Sequence, residues 1–247
     1  MLWKRDSLSE TICHRITISC TGQILAVIFC ARIRTKAAIN NLTGEQSVMA
    51  RIGSDMSSEI KEYLEALRNM VQGARLHHEV WWIYKSTETR PKYLDVMNRH
   101  LMFFWASIQA HMIGIVTSLY MLYETRKDTR NIPTFMARLK ESGLLEESSI
   151  RELEALCAQA RPLWIKVSIL RNNVYAHKSS KHTINDAFEL AGVSSDEMIE
   201  LIDISEKILQ KIGAEVLDTH YVFNLSSRRS TIGMLDSLLA YHGLQKP

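Results

Sequence analysis

The chain has 247 residues, which is enough for one large domain or two small ones with a sizeable core. Hydrophobic residues make up 46% and charged residues 23%, and only 4 prolines and 10 glycines occur, which argues against disorder and favours an all-α protein. The formal charge of +3 comes entirely from residues 1–55, so any attraction to nucleic acid has to come from a local patch and not from the net charge.

Residues 1–55 differ in composition from the rest and are predicted to be an N-terminal extension. A basic start precedes the apolar run Ile24–Ala31, as in a signal peptide, but basic residues follow where a cleavage site of small residues would be expected. The run is also shorter than the ~20 residues that a membrane span needs. Two interpretations stay open. Either the segment is loosely packed or precedes a natural start at Met49 or Met56, or it is a membrane anchor.

The four cysteines have no spacing that is typical of a metal site. Cys13, Cys20 and Cys30 lie in the N-terminal segment, and Cys157 lies on a predicted helix. We therefore expect a reduced, cytoplasmic protein without a disulfide framework.

Apolar residues recur at three- and four-residue steps from Ser57 onwards and predict a helix that runs to about Ser86. Its last turns contain His77, His78, Trp81 and Trp82. Since no second pair of ligands stands at metal spacing, we expect these side chains to pack against neighbouring helices.

The next predicted helix begins at Pro91 and runs to about Glu124. Its segment Leu101–Tyr123 has no formally charged residue and is long enough to span a membrane. Polar residues inside the segment and the lack of a second such segment instead favour a central helix of a bundle, with no membrane involved.

Local signals mark the ends of several later helices. A short helix from Pro133 should end at Gly143, and Ser149 with Glu152 reads as a capping box that opens the next helix. Pro162 should either kink that helix or begin a new one.

A second capping box, Ser194 with Glu197, opens a long helix that continues to about Val216. Gly192 should close a short helix before it, and residues 231–241 are weakly helical. The predicted fold is an all-α bundle of about four long helices plus short ones in residues 56–224, followed by a C-terminal tail over residues 225–247.

The stretch Leu170–Lys178 is the candidate functional segment. The surrounding residues 161–182 contain five Lys or Arg, two His and no acidic residue, at the predicted end of a long helix. On an ideal helix, His177 would lie roughly 120° around the axis from Arg171. The two side chains could meet if the helix loosens near His177, if the arginine wraps around it, or if a second subunit supplies its own copy. The last arrangement predicts a homodimer.

The residue types suit the chemistry of phosphodiesters. A guanidinium binds phosphate with two parallel hydrogen bonds, and an imidazole can exchange protons with ribose oxygens near neutral pH. No carboxylate lies nearby, so we expect neither a metal nor a cofactor. The predicted reaction is transesterification of RNA by its own 2′-hydroxyl, with Asn173, Lys178 and Lys181 as RNA contacts. Alternatively, Arg171 and His177 merely offset the helix dipole and cap carbonyl groups.

Arg171-Asn172 followed by His177 resembles the signature of the HEPN superfamily, in which an arginine and a polar residue precede a histidine. The segment His78–Trp82 at the end of the first helix, the long apolar second helix and then Leu170–His177 resemble more closely the abortive-infection U-type branch. The resemblance spans about residues 56–218.

That resemblance implies a helical bundle that dimerises through the motif helix and a metal-independent ribonuclease in phage defence, or a toxin with an antitoxin partner. Arg171 would hold the scissile phosphate, His177 would be the general acid and base, and Asn172 would orient the phosphate or the imidazole. Members silenced by a nucleotidyltransferase carry a Tyr where this chain has Ser179, so an antitoxin of that type is not expected. The alternative is a non-catalytic HEPN module that binds a nucleotide or a partner protein.

Overall fold

The computed structural model describes residues 44–176 and 189–243, except for the side chains of residues 44–55 and 174–176. By its contacts the chain divides into two units, Met1–Ser47 and Val48–Pro247, and the following description concerns the second. The predictions for the run Ile24–Ala31 and for Cys13, Cys20 and Cys30 lie outside the described residues.

The described chain is helical throughout, which confirms the all-α prediction, and it contains no β-strand. Its elements are α1 (Gly44–Lys85), α2 (Arg90–Arg99), α3 (Leu101–Tyr123), α4 (Ile132–Ser142), α5 (Glu147–Leu170), a π-helical turn (Arg171–Ala176), α6 (Ser195–Leu217) and α7 (Arg228–Tyr241). Four of these helices, α1, α3, α5 and α6, have 23 residues or more, as the periodicity predicts.

Two apolar cores hold the helices together. In the larger core, buried side chains of α1, α3, α4, α5 and α6 meet, among them Leu67, Leu119 and Leu153. A smaller core joins the end of α1 to α2, to the start of α3 and to α7, with Phe104 and Leu235 at its centre. The C-terminal helix is therefore packed on the bundle and is more than a polar tail.

The last turns of α1 pack against α6, as expected for the His-Trp cluster. The Nε2 atom of buried His78 lies 3.0 Å from Ser195 Oγ at the start of α6. Burial lowers the pKa of His78 and so favours its neutral form. One turn earlier, Arg75 donates from Nε to Glu206 and from Nη2 to Asp203, both at 2.5 Å, and ties the same two helices together.

A pair of histidines joins α1 to α3. The Nδ1 atoms of His77 and His111 are 2.9 Å apart, so one ring donates a hydrogen bond to the other. The acceptor ring must be neutral, so the two rings are not charged at the same time. The helices come this close because Gly114 has no side chain. A Cβ at that position would lie 2.6 Å from the ring of His77.

We therefore expect Gly114→Ala to lower the free energy of unfolding by about 1–2 kcal/mol, because the added methyl group overpacks the contact. Gly73→Ala is the matched control, since a Cβ there meets no atom within 4 Å. It should stabilise α1 by about 0.5–1 kcal/mol through helix propensity alone. Urea denaturation of both variants measures the difference, and equal stabilities would contradict the close approach at Gly114.

Two of the predicted helix ends are confirmed and one is wrong. Ser194 and Glu197 form the complete capping box of α6, and Gly143 ends α4 in the left-handed region with φ 65°. Ser149 does not cap, because α5 already begins at Glu147, after Glu146 as N-cap. Acidic residues in a first turn interact favourably with the helix dipole, so α5 starts without a side-chain cap.

Two further boundaries differ from the prediction, and of the two alternatives for Pro162 the start of a new helix is wrong. Helix α1 begins at Gly44, well before Ser57. The helix expected from Pro91 to Glu124 is broken at His100, which has φ −114° and ψ 40°. Pro162 lies inside α5, which continues through it. Its ring is exposed, so water can reach the carbonyl group left without its N–H donor.

Helix α3 packs into both apolar cores, as expected of a helix in the bundle, but only one of its faces is buried. Six large apolar side chains of α3 are exposed, and four of them lie among its first five residues: Leu101, Met102, Phe103, Trp105, Ile113 and Met121. Among the described helices, α3 alone is long and apolar enough to cross a membrane, with a mean hydropathy of 1.3. A single helix of this kind is weak support for membrane insertion, since core helices of soluble proteins pass the same test.

Candidate functional site

The candidate motif begins where α5 gives way to the π-helical turn Arg171–Ala176. Leu170, the last residue of α5, is completely buried and fixes the start of this turn in the larger core. Hydrogen bonds from i to i+5 widen a π-helical turn, and such turns are frequent at functional sites. The helix therefore loosens just before His177, one of the three arrangements raised from the sequence. His177, Lys178 and Lys181 themselves lie outside the described residues.

Arg171 is held by an aromatic ring and by its neighbour in the chain. Its guanidinium carbon lies 4.5 Å from the centre of the Tyr120 ring, and Nη1 donates to Asn172 Oδ1 at 3.0 Å. Among the described residues Arg171 has no carboxylate partner. Since Asn172 takes only one N–H group of the guanidinium, Arg171 keeps donors for an anion.

The two asparagines of the motif have different surroundings. Asn172 is exposed and contacts the side chain of Arg171 directly. Asn173 is half-buried, and its Nδ2 donates to the carbonyl of Ile169 at 2.8 Å. The Asn173 amide thus donates to a backbone carbonyl at the end of α5, where the last carbonyl groups have no N–H donor within the helix. The predicted RNA contact is left with its side-chain oxygen and one N–H group.

Tyr120 and Trp164 belong to the same site, although neither is among the site residues predicted from the sequence. Their ring centres are 6.2 Å apart, and the Trp164 indole N–H donates to the carbonyl of Tyr120 at 3.2 Å. That bond satisfies one of the last carbonyl groups of α3. The sequence feature that could have identified Trp164 is its seven-residue spacing from Arg171, which places both residues on one face of a helix.

Next to Trp164 lies a cavity of about 560 Å³ between α4, α5 and the end of α3. Cys157 and Arg161 of α5 line it together with Trp164. Burial raises the pKa of the Cys157 thiol to about 11, so it stays protonated and is a poor nucleophile at neutral pH. Within the described part of the chain, no group of three or more His, Cys, Asp or Glu side chains is placed to hold a metal ion.

Comparison with known proteins assigns the chain to a family. A family model described as AbiU2, of the HEPN type, matches residues 57–231, from the first turns of the α1 stripe to the start of α7 and with the whole motif inside. No curated protein and no solved structure matches the chain.

Proposed function

Because the chain belongs to the AbiU2 family of HEPN proteins, which is related to abortive infection, we propose that it is a metal-independent endoribonuclease acting in phage defence or as a toxin. The observation that carries the proposal is the preorganised guanidinium of Arg171. It lies over the ring of Tyr120, donates to Asn172 and has no carboxylate partner among the described residues. A cation in that state is suited to bind a phosphodiester without first breaking an ion pair.

In the proposed reaction Arg171 binds the nonbridging oxygens of the scissile phosphate. The imidazole of His177 removes the proton of the ribose 2′-hydroxyl, whose oxygen attacks phosphorus, and the bond from phosphorus to the 5′-oxygen breaks. The leaving oxygen takes a proton from an imidazolium, and the products are a 2′,3′-cyclic phosphate and a 5′-hydroxyl. DNA has no 2′-hydroxyl and would stay intact.

We also propose that the active form is a dimer in which the motif helices of two chains face each other. The exposed apolar side of α3 supports this, since patches of this kind mark protein–protein contacts. Helix α3 also contacts the π-helical turn and contributes Tyr120 to the site. A second copy packed along α3 would bring two sites together around a two-fold axis.

The assignment is tested by expressing the wild-type chain beside His177→Ala and following growth and the integrity of cellular RNA. We expect growth arrest and RNA fragmentation with the wild type and neither with His177→Ala, because the variant lacks the proton-transfer group. Purified protein should cut RNA in the presence of EDTA. If the wild type leaves RNA intact, or if His177→Ala cuts it equally well, the ribonuclease assignment is wrong.

End-group analysis of the fragments tests the mechanism separately. A 2′,3′-cyclic phosphate beside a 5′-hydroxyl is expected, and a substrate with a single 2′-deoxynucleotide at the cleavage point should resist. Fragments with a 5′-phosphate, or a strict need for Mg²⁺, would show that the 2′-hydroxyl is not the nucleophile.

A further inference from the structure

The cavity beside Trp164 is not used in the reaction proposed for Arg171 and His177. Its volume of about 560 Å³ lies inside the range of about 300–1,000 Å³ for sites that bind small molecules or cofactors. Carbon atoms form most of its wall, from Pro133, Met136 and Ala137 of α4 and Ile150 of α5. The shape and lining suit a flat group with apolar faces.

Charges at the cavity favour an anion beside that flat group. Lys140 is already paired with Glu154 at 3.1 Å, so these two largely cancel. Arg161 is exposed at the rim and makes no ion pair with any carboxylate in the described ranges. Cys157 is a neutral thiol, as its raised pKa of about 11 implies. The unmatched charge at the cavity is therefore one guanidinium.

The cavity opens on the same face of α5 that carries Arg171. The residues of α5 that line the cavity are spaced by three or four positions: Ile150, Glu154, Cys157, Arg161 and Trp164. The same spacing continues through Ser168 to Arg171. At 1.5 Å per residue, Trp164 lies about 10 Å and Arg161 about 15 Å along the helix axis from Arg171. The two arginines therefore lie at different heights on one face.

Two aromatic rings lie between the two arginines. Tyr120 contacts the guanidinium of Arg171 and is stacked on Trp164, which in turn lines the cavity. The hydrogen bond from the Trp164 indole to the carbonyl of Tyr120 sets the orientation of that ring. Proteins bind single-stranded nucleic acid with cations that contact the phosphates and aromatic rings that stack on the bases. The two arginines, with the two rings between them, have this arrangement.

We propose that this cavity binds a nucleobase of the RNA strand whose scissile phosphate lies at Arg171, with another phosphate of the same strand on Arg161. The base would enter between the apolar wall of α4 and the Trp164 ring. The inference rests on the proposed ribonuclease function and adds a binding site for a base away from the reacting atoms. Shape and stacking at this cavity would then contribute to the choice of cleavage site.

The test measures binding of a fluorescent oligoribonucleotide that is 2′-O-methylated throughout, so that it cannot be cleaved. Trp164→Ala and Arg161→Ala should each raise its Kd by about 10-fold, through loss of one stacked base and one phosphate contact. Arg161→Ala should also reduce the slope of log Kd against log salt by about 1. Arg161 is exposed, so this variant is expected to fold normally.

Arg151→Ala is the matched control for both variants. Arg151 lies on α5, pairs with Glu147 at 3.4 Å and points roughly 160° away from Arg171 around the helix. Its removal should leave the Kd unchanged. A 4-thiouridine placed in the oligonucleotide should cross-link to the wild-type chain at Trp164 or its neighbours in the cavity wall, as mapped by mass spectrometry.

The possible outcomes separate this proposal from the ribonuclease assignment. If the wild type cuts RNA while Trp164→Ala and Arg161→Ala bind the oligonucleotide as tightly as Arg151→Ala does, the base site is overturned and the ribonuclease stands. If no RNA is cut but both variants weaken binding and the cross-link maps to Trp164, the base site stands and the ribonuclease assignment falls. Cross-links confined to residues outside the cavity also overturn the base site.

Discussion

Arg171→Lys is expected to lower the rate of RNA cleavage by about 10²- to 10³-fold, although the charge is conserved. An ammonium is a single point charge and cannot bind two phosphate oxygens in the planar arrangement of a guanidinium. It also lacks the flat surface that stacks on Tyr120 and the N–H group that reaches Asn172 Oδ1. Single-turnover cleavage of a defined RNA, compared between wild type and variant, measures the effect.

Arg171→Ala should reduce cleavage at least as far, while the free energy of unfolding falls by no more than about 1 kcal/mol, the size of a partly exposed cation–π contact. Arg151→Ala removes an arginine from the same helix and should cut RNA at the wild-type rate, because it points away from the motif. Wild-type activity in Arg171→Lys would mean that Arg171 acts only through its charge. Its contact with Tyr120 would then contribute nothing to cleavage.

Leu170→Ala is expected to have the largest effect on stability, a loss of about 2–5 kcal/mol in the free energy of unfolding. Leu170 is completely buried in the larger core, so truncation leaves a cavity under the last residue of α5. Because the π-helical turn begins at the next residue, cleavage by the folded fraction should fall as well. Thermal and urea denaturation measure the stability.

Ile165→Ala is the matched control for this substitution. Ile165 lies on the same helix, and 43% of its surface is exposed, so its truncation should change stability by less than about 0.5 kcal/mol. If Leu170→Ala were as mild as Ile165→Ala, the start of the π-helical turn would not depend on the core, and the packing account of the motif would be wrong.

The sequence predicts well the features that depend on neighbouring residues. Ser194 and Glu197 mark the start of α6 because capping involves only one helical turn, and Gly143 ends α4 because a left-handed residue there has no Cβ to strain. The same kind of local signal predicts the wrong start for α5. Ser149 with Glu152 has the spacing of a capping box but lies one turn inside a helix that acidic residues already open.

Whether a helix continues or breaks was harder to predict, because it depends on how the helix packs against other helices. Nothing in the sequence near His100 breaks a helix, yet the chain turns there so that α2 and the start of α3 can both pack into the smaller core. Pro162 would stop many helices, but here its ring is exposed while Leu163 and Val167 are buried and keep α5 in one piece. The burial of side chains outweighs the one hydrogen bond that proline removes.

By itself, the sequence determined the all-α class, the long helices and the position of Arg171 and Asn172 at the end of one of them, since periodicity and motif spacing are local properties. Only the tertiary structure decided that α5 ends in a π-helical turn and that Arg171 rests on Tyr120, a residue 51 positions earlier in the chain. It also decided that Trp164 faces a cavity and that one side of α3 stays uncovered. These contacts join separate helices, and their geometry follows from how whole helices pack, which no single stretch of sequence specifies.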